Sequence, residues 1–305
     1  MSAFLARRLL QFLIVVIGVI TIVFLLQRLS GDPTNLLLPI DAPDAVRVEL
    51  RRQMGLDQPL VVQYFKFLGE VAQGNLGESY RFRQPALDLV LERFPATLLL
   101  AAASLLLSLL IALPLGILAA VYRNSWIDAL ATGISLVGQA APVYWIGLLA
   151  ILLFSVQLQW LPSMGGGSFA ALIMPATTLA FYSTARVMRL TRSAMLDVLH
   201  QDYIRMCRAK GLSEPVVLIK HALRNAAIPI VTIIGLQFGG LLGGAVITET
   251  VFAWPGVGRL AVNAVSQRDF PVVQAVTLVI AFTFSLINLT VDLLYAVLNP
   301  RIRLE

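Results

Sequence analysis

A chain of 305 residues, 58% hydrophobic and only 13% charged, falls well short of the roughly 25% charge of an ordinary soluble domain, and its mean hydropathy of +0.82 points to lipid. The net charge of +6 and pI near 9.8 would also suit a nucleic-acid binder, but the cations gather on one side of a membrane pattern, so no nucleic acid is expected as a partner. The single cysteine, Cys207, excludes an intrachain disulfide framework, and no Cys/His metal spacing occurs.

Gaps in the charge set out the spans. Between Arg8 and Arg28 lie 19 uncharged residues, between Arg93 and Arg123 lie 29, and between Asp128 and Arg186 lie 57. A span takes about 20 residues, so the last gap holds two, divided at the turn-rich "LPSMGGGS" of Leu161–Ser168. Uncharged runs recur at Asn225–Thr248 and Phe270–Val291. The pattern predicts an all-α polytopic membrane protein with six transmembrane helices, near 9–28, 95–121, 129–157, 169–190, 226–248 and 272–298. The first apolar run is longer than a signal-peptide core and no A-x-A-like site follows it, so it reads as an uncleaved helix.

Orientation follows from the cations. Arg7 and Arg8 precede the first span, Arg301 and Arg303 follow the last, and the stretch from Arg186 to Arg224 holds eight Lys/Arg in 39 residues. The short loops on the other side carry none (158–168) and two, Arg259 and Arg268 (250–271). Both termini and the 186–224 loop are therefore expected in the cytoplasm of a plasma-membrane protein. The expected organisation is an N-terminal helix (1–28), an extracytoplasmic helical loop (29–94) and a core membrane domain (95–305) with a cytoplasmic loop at 191–224.

Within 29–94, "DAPDAVRVELRRQMG" reads as a helix with Asp41 as cap, Pro43 in the first turn and Gly55 past the end. "DQPLVVQYFKFLGEVAQGN" repeats the recipe with Pro59 and Gly74, and "PALDLVLERF" is a third short candidate ahead of Pro95. In the cytoplasmic loop, "DYIRMCRAKGLSEPVVLIKHALRN" is too charged for lipid: its ions and their neighbours would cost on the order of 30 kcal/mol at the bilayer centre. Leu196, Leu199, Tyr203, Met206 and Cys207 fall within about 80° of helical arc, Gly211 suits the C′ position, and Ser213 suits the cap of a second helix starting Glu214-Pro215. Two short amphipathic helices around a Gly-Leu-Ser turn suit either a helix lying on headgroups or a protein-docking knob.

The stretch Asp202–Thr232 resembles the cytoplasmic "EAA" loop of type I ABC importer permeases, in the form used by the dipeptide/oligopeptide/nickel branch. "GLDQPL" (55–60), "GNLGES" (74–79), "ETVFAWPGVGRLAVNAVSQRDFPVVQA" (249–275) and "NLTVDLLYAVLNPRIR" (288–303) resemble the same family, in order along the chain, and the "RRLL" start is similar to the first of two paired permeases. The letters E-A-A themselves are absent, Arg205, Met206 and Cys207 standing there, and Asn299 and Asn75 replace commoner aspartates. The resemblance implies a coupling helix seated in a groove of an ATPase subunit, carried by Tyr203, Arg205, Arg208, Ala209, Lys210, Gly211, Leu212 and Ser213. It implies as partners a second homologous permease, two ATP-binding cassette subunits and an extracytoplasmic substrate-binding protein, with peptide as the leading solute and nickel chelates, glutathione or short sugars behind it.

Inside the membrane, Gly235, Gly239 and Gly243, and Gly240 and Gly244, are spaced by four, which suits close helix packing or a gate against the partner. Asn288, Asp292 and Tyr295 share a face of the last helix as a candidate polar network. Glu249, ahead of the Pro255-Gly256 turn, ends the fifth span on the outside. No phosphate-binding loop, H-E-x-x-H or G-x-S-x-G occurs, so the chain is expected to be no enzyme and to bind no cofactor, with ATP and Mg on partner subunits. An ion-gradient-driven transporter is the alternative; it would place charges and broken helices at the midplane.

Overall fold

The computed structural model describes residues 2–29, 34, 38 and 42–298. The chain runs α1 (Ser2–Leu29), α2 (Asp44–Gln53), α3 (Leu60–Ala72), α4 (Ala86–Val121), α5 (Trp126–Ala140), α6 (Val143–Ala150), α7 (Phe169–Leu199) and α8 (Asp202–Ala209). Three joined pieces, Glu214–Val216, Val217–Leu223 and Arg224–Val251, form one rod, α9; α10 (Val257–Ser266) and α11 (Phe270–Leu298) follow. The middle piece of α9, and Ile151–Gln157 after α6, have π geometry. Among the described residues the only strand-like pairing is an isolated bridge between Glu78 and Pro85.

Among the described residues, four stretches are long and apolar enough to cross a membrane: Ala6–Leu29, Ala86–Val121, Glu214–Gly243 and Phe270–Val291. The span expected at 129–157 is not one rod. α5 and α6 meet at 102°, because Pro142 lacks an N–H and pushes Ala141 to an extended ψ of 129°. α7 has 31 residues, but its Thr, Ser, Tyr and Arg side chains leave it outside the apolar group. Two expected short helices also prove to be parts of longer ones. "PALDLVLERF" opens α4, which continues through Pro95 and Pro114, as membrane helices do when neighbours satisfy the freed carbonyls. The helix expected after Ser213 is the start of α9.

α2 and α3 lie where the sequence puts them, with Gly55 (φ +66°) and Gly74 (φ +77°) closing them. Pro43 stands just before the first helical residue and not in the first turn, and Pro59 marks the start of α3 as expected; Asp41 lies outside the described residues. α1 leans on α11 through Phe12 and Phe282, whose rings are 5.3 Å apart, and reaches α3 through Phe24 and the Thr21–Tyr64 hydrogen bond of 2.8 Å.

The core is the seam between α4 and α7. Ser104, Ser108, Ala112, Gly116 and Ala120 recur every four residues on α4 and are all buried. Small side chains at that spacing let two helices approach closely: a Cβ on Gly116 would stand 2.8 Å from the Met188 carbonyl oxygen and from Thr191 Cβ. α5 is clipped to α7 by the Arg192 fork on Asp128, at 2.6 and 2.7 Å. Asp128 also accepts the Asn124 N–H at 2.9 Å, and Ser125 caps the helix. This pair lies at the end of the bundle that carries α8, the hairpin end; α10 lies at the far end.

Candidate functional site

At the hairpin end, α7 stops at Leu199 and the chain turns at His200–Gln201 into α8. Eight residues cannot hold a helix in water unaided, and the support comes from Ile204. It is fully buried in a cluster with Ala120, Met195, Val198, Val217 and Ala222, where α4, α7 and α9 converge. Such burial contributes about 1.5–3 kcal/mol. Tyr203 adds a polar tie: its hydroxyl accepts from Asn225 Nδ2 at 2.8 Å and donates to the His221 carbonyl at 3.4 Å.

The turn after α8 is fixed by its backbone. Gly211 has φ +75°, its N–H donates to Arg208 O at 2.9 Å, and the Leu212 N–H donates to Cys207 O at 3.3 Å. This pair of bonds closes a helix with a left-handed residue at C′. Nothing lies within 4 Å of where a Gly211 Cβ would stand, so conformation alone selects glycine. Arg208 spans the turn with a two-pronged contact to Glu214 at 2.7 and 3.3 Å, and Arg205 pairs with Asp202 at 3.5 Å. Both pairs are exposed, which limits each to about 1 kcal/mol or less.

The eight residues expected to couple thus divide. Tyr203 is half-buried and braces the hairpin from within, while Arg205, Arg208, Ala209, Lys210, Gly211, Leu212 and Ser213 are exposed. Ser213 precedes α9 but makes no side-chain cap bond. Met206, expected on the inward face, is 58% exposed, and Ile204, which the sequence reading passed over, takes the inward place. The break at His200–Gln201 shifts the helical phase between α7 and α8: Leu196, Leu199, Tyr203 and Cys207 still pack against this cluster, while Met206 turns outward. Met206, Leu212, Val216 and Ile219 leave the hairpin with exposed apolar side chains as well as cations.

The far end is tied instead of open. Glu249, fully buried, accepts from the Thr97 hydroxyl at 2.6 Å and the Arg259 N–H at 3.0 Å. Thr97 Oγ1 in turn accepts the Val257 N–H at 2.8 Å, and the Trp254 indole donates to Ala96 O at 2.9 Å. A Cβ on Gly256 would overlap the Glu249 carboxylate, which is why the Pro-Gly turn follows that acid. Asp269, also buried, accepts from the Ser79 hydroxyl and from the Tyr80 and Arg81 N–H groups, clamping the "GNLGES" stretch onto the start of α11. Burial, with Asp269 alongside, pushes the Tyr80 phenol up to about 12 against the opposing pull of Arg28.

Within the bundle, Gly235 and Gly239 admit α11: a Cβ on the first would overlap Val291, and one on the second would stand 2.9 Å from the Phe284 ring. Gly240 and Gly243 face open space, with none of the described residues within 4 Å of a Cβ. Gly244 and the side chains of Asp292 and Tyr295 lie outside the described set. Asn288 Oδ1 is buried without a hydrogen-bond partner among the described residues, beside a cavity of about 120 Å³ lined also by Arg8, Gln11 and Ser285. Among the described residues no three His, Cys, Asp or Glu converge as a metal site.

Comparison with known proteins accounts for nearly the whole length. The family described as "binding-protein-dependent transport system inner membrane component" matches residues 112–304, and its N-terminal companion matches residues 1–101. The glutathione transport system permease protein GsiC of Escherichia coli (strain K12) is 45% identical over 305 residues, covering 99% of both chains. The protein of the same description from Salmonella typhimurium (strain LT2) is 44% identical over 304 residues, again covering 99% of both. The inward-facing MetNI methionine ABC transporter shares the fold, with a TM-score of 0.59 at 18% identity over 69% of this chain and 96% of that one. A gradient-driven transporter finds no support in these relatives, which are named as transport components and not as enzymes. The chain belongs to the inner-membrane permeases of binding-protein-dependent ABC import systems.

Proposed function

We propose that this chain forms half of a solute pathway for glutathione or short peptides, paired with a second, homologous permease. Solute arrives from an external binding protein, and two ATPase subunits that hold the ATP and Mg supply the energy. In this reading the chain crosses the membrane six times, α5–α6 counting as one broken span and α7 as another. Both termini and α8 are then cytoplasmic, and α2 and α3 are outside.

One observation carries the coupling role. α8 is rooted by Ile204 in the ends of α4, α7 and α9 at once, while its outer side and the turn after it offer Met206, Ala209, Lys210 and Leu212, exposed and with no side-chain partner among the described residues. A knob that moves only with three spans transmits force to all of them, and a motor acts on it only through contacts that differ between its states. The test is co-purification from native membrane followed by uptake in vesicles. ATPase chains are expected to accompany the protein, and Gly211→Pro is expected to leave insertion intact while ATP hydrolysis no longer drives uptake. Gradient-driven uptake by the lone chain would overturn the reading.

A further inference from the structure

α7 carries a polar stripe that packing within the chain does not explain. Tyr182, Arg186, Arg189, Ser193 and Asp197 follow at spacings of 4, 3, 4 and 4, which places them on one helical face. Tyr182 is half-buried and the other four are exposed. Arg186 stands six residues before Arg192, so about 9 Å deeper than the Asp128 pair at the hairpin end. Its guanidinium reaches deeper still. It lies 4.7 Å from the centre of the Tyr182 ring, one turn farther on, and donates to Gln237 Oε1 at 3.4 Å. Gln237 is 11 residues after Ala226 and 12 before Glu249, about 17 and about 18 Å along α9, and hence near mid-depth. A basic side chain with only lipid beside it runs to the nearest interface. This one runs the other way.

The space beside it is open. Leu236, Gly240 and Gly243 on the adjoining face of α9 are exposed, and none of the described residues lies within 4 Å of a Cβ at either glycine. Of the five guanidinium N–H groups, one meets Gln237, and the rest have no acceptor among the described residues. The planar fork of arginine matches a carboxylate in two-pronged fashion, and a lone charge at membrane depth marks a pathway contact. Ring and amide hold the fork in place before any solute arrives, which is how a site lowers its own ordering cost.

We infer that Arg186, positioned by Tyr182 and Gln237, binds a carboxylate of the solute as it passes the middle of the membrane. Arg189, one turn toward the hairpin, offers the next anion contact. The inference deepens the proposed function and rests on it. The experiment uses the complete importer in proteoliposomes with radiolabelled glutathione as probe. Arg186→Gln is expected to cut ATP-driven uptake tenfold or more while binding-protein-stimulated ATP hydrolysis persists, and Arg186→Lys to recover part of it. Uptake by Arg186→Gln within twofold of the parent would overturn the assignment; absence of ATP-driven uptake in the parent complex would instead sink the underlying reading.

A second measurement does not depend on transport. Gly240→Cys in a Cys207→Ser background is treated with anionic and cationic thiol reagents, each rate normalised to a free thiol. The anionic reagent is expected to be favoured several-fold, and Arg186→Gln is expected to abolish that preference. No reaction at Gly240→Cys, or a preference that survives Arg186→Gln, would count against a solvated anion site.

Discussion

Carboxylates at the two ends of this molecule do opposite things with the same chemistry. At the far end Glu249 and Asp269 are buried, and both hold hydroxyl and backbone N–H donors. At the hairpin Asp202 and Glu214 are exposed and pair with arginines that are themselves exposed. A buried donor deprived of its acceptor costs about 1–3 kcal/mol, whereas an exposed ion pair is worth about 1 kcal/mol or less. The far end is therefore built to fix α4, α9, α10 and α11 against one another. The hairpin is fixed from beneath by Ile204 and left chemically uncommitted on top, which suits a surface that another chain grips and releases.

The sharpest way to break that contrast is Glu249→Ala. It orphans the Thr97 hydroxyl and the Arg259 N–H together, for an expected loss of about 2–6 kcal/mol, read as a lowered Tm of the detergent-purified protein. Glu249→Gln, which keeps an acceptor, should recover part of the loss; an unchanged Tm for the alanine variant would show that the far end is not held by this acid. Next comes Ile204→Ala, at about 2–5 kcal/mol for a buried aliphatic side chain. Its damage should stay local, with new protease cleavage between residues 200 and 212 and the membrane bundle intact. Uniform destabilisation would mean that the hairpin and the bundle are one cooperative unit. Gly211→Ala is smaller again, about 1–2 kcal/mol for a left-handed alanine, and should loosen the α8–α9 turn with no loss of insertion.

Much of this architecture was legible because lipid enforces simple rules. Charge gaps located the long apolar helices, and Gly55, Gly74 and Gly211 marked turns because each holds a positive φ. Legibility failed where tertiary packing overrules local signals. Pro95 looks like a boundary and is carried through by α4, while Pro142, no different in kind, sets α6 at 102° to α5. The glycines of α9 are conspicuous in the sequence, yet the most extensive seam uses the less conspicuous Ser104, Ser108, Ala112, Gly116 and Ala120 of α4. Ile204 was missed because its inward direction depends on where α7 ends, two residues at His200–Gln201 that carry no strong breaker. The charge of Arg186 marks it as a loop cation in the sequence, but its side chain runs along α7 toward Tyr182.

The smallest expected effect on the fold is also the most informative about the hairpin. Arg208→Glu removes an exposed pair and sets two carboxylates side by side across the turn, which should lower Tm only slightly, within about 1 kcal/mol. If the outer face of α8 is a docking surface, the same change should abolish ATP-driven uptake and weaken retention of the ATPase chains during purification. The two effects separate in Arg208→Glu/Glu214→Arg, which restores an opposite-charge pair with its ends exchanged. Docking through Arg208 itself predicts that this double variant regains the parental Tm and still fails to hold the motor. Recovery of both Tm and uptake would mean that the pair merely shapes the turn, and the grip would then have to come from the exposed apolar side chains Met206 and Leu212, whose replacement by glutamate would be the decisive substitution.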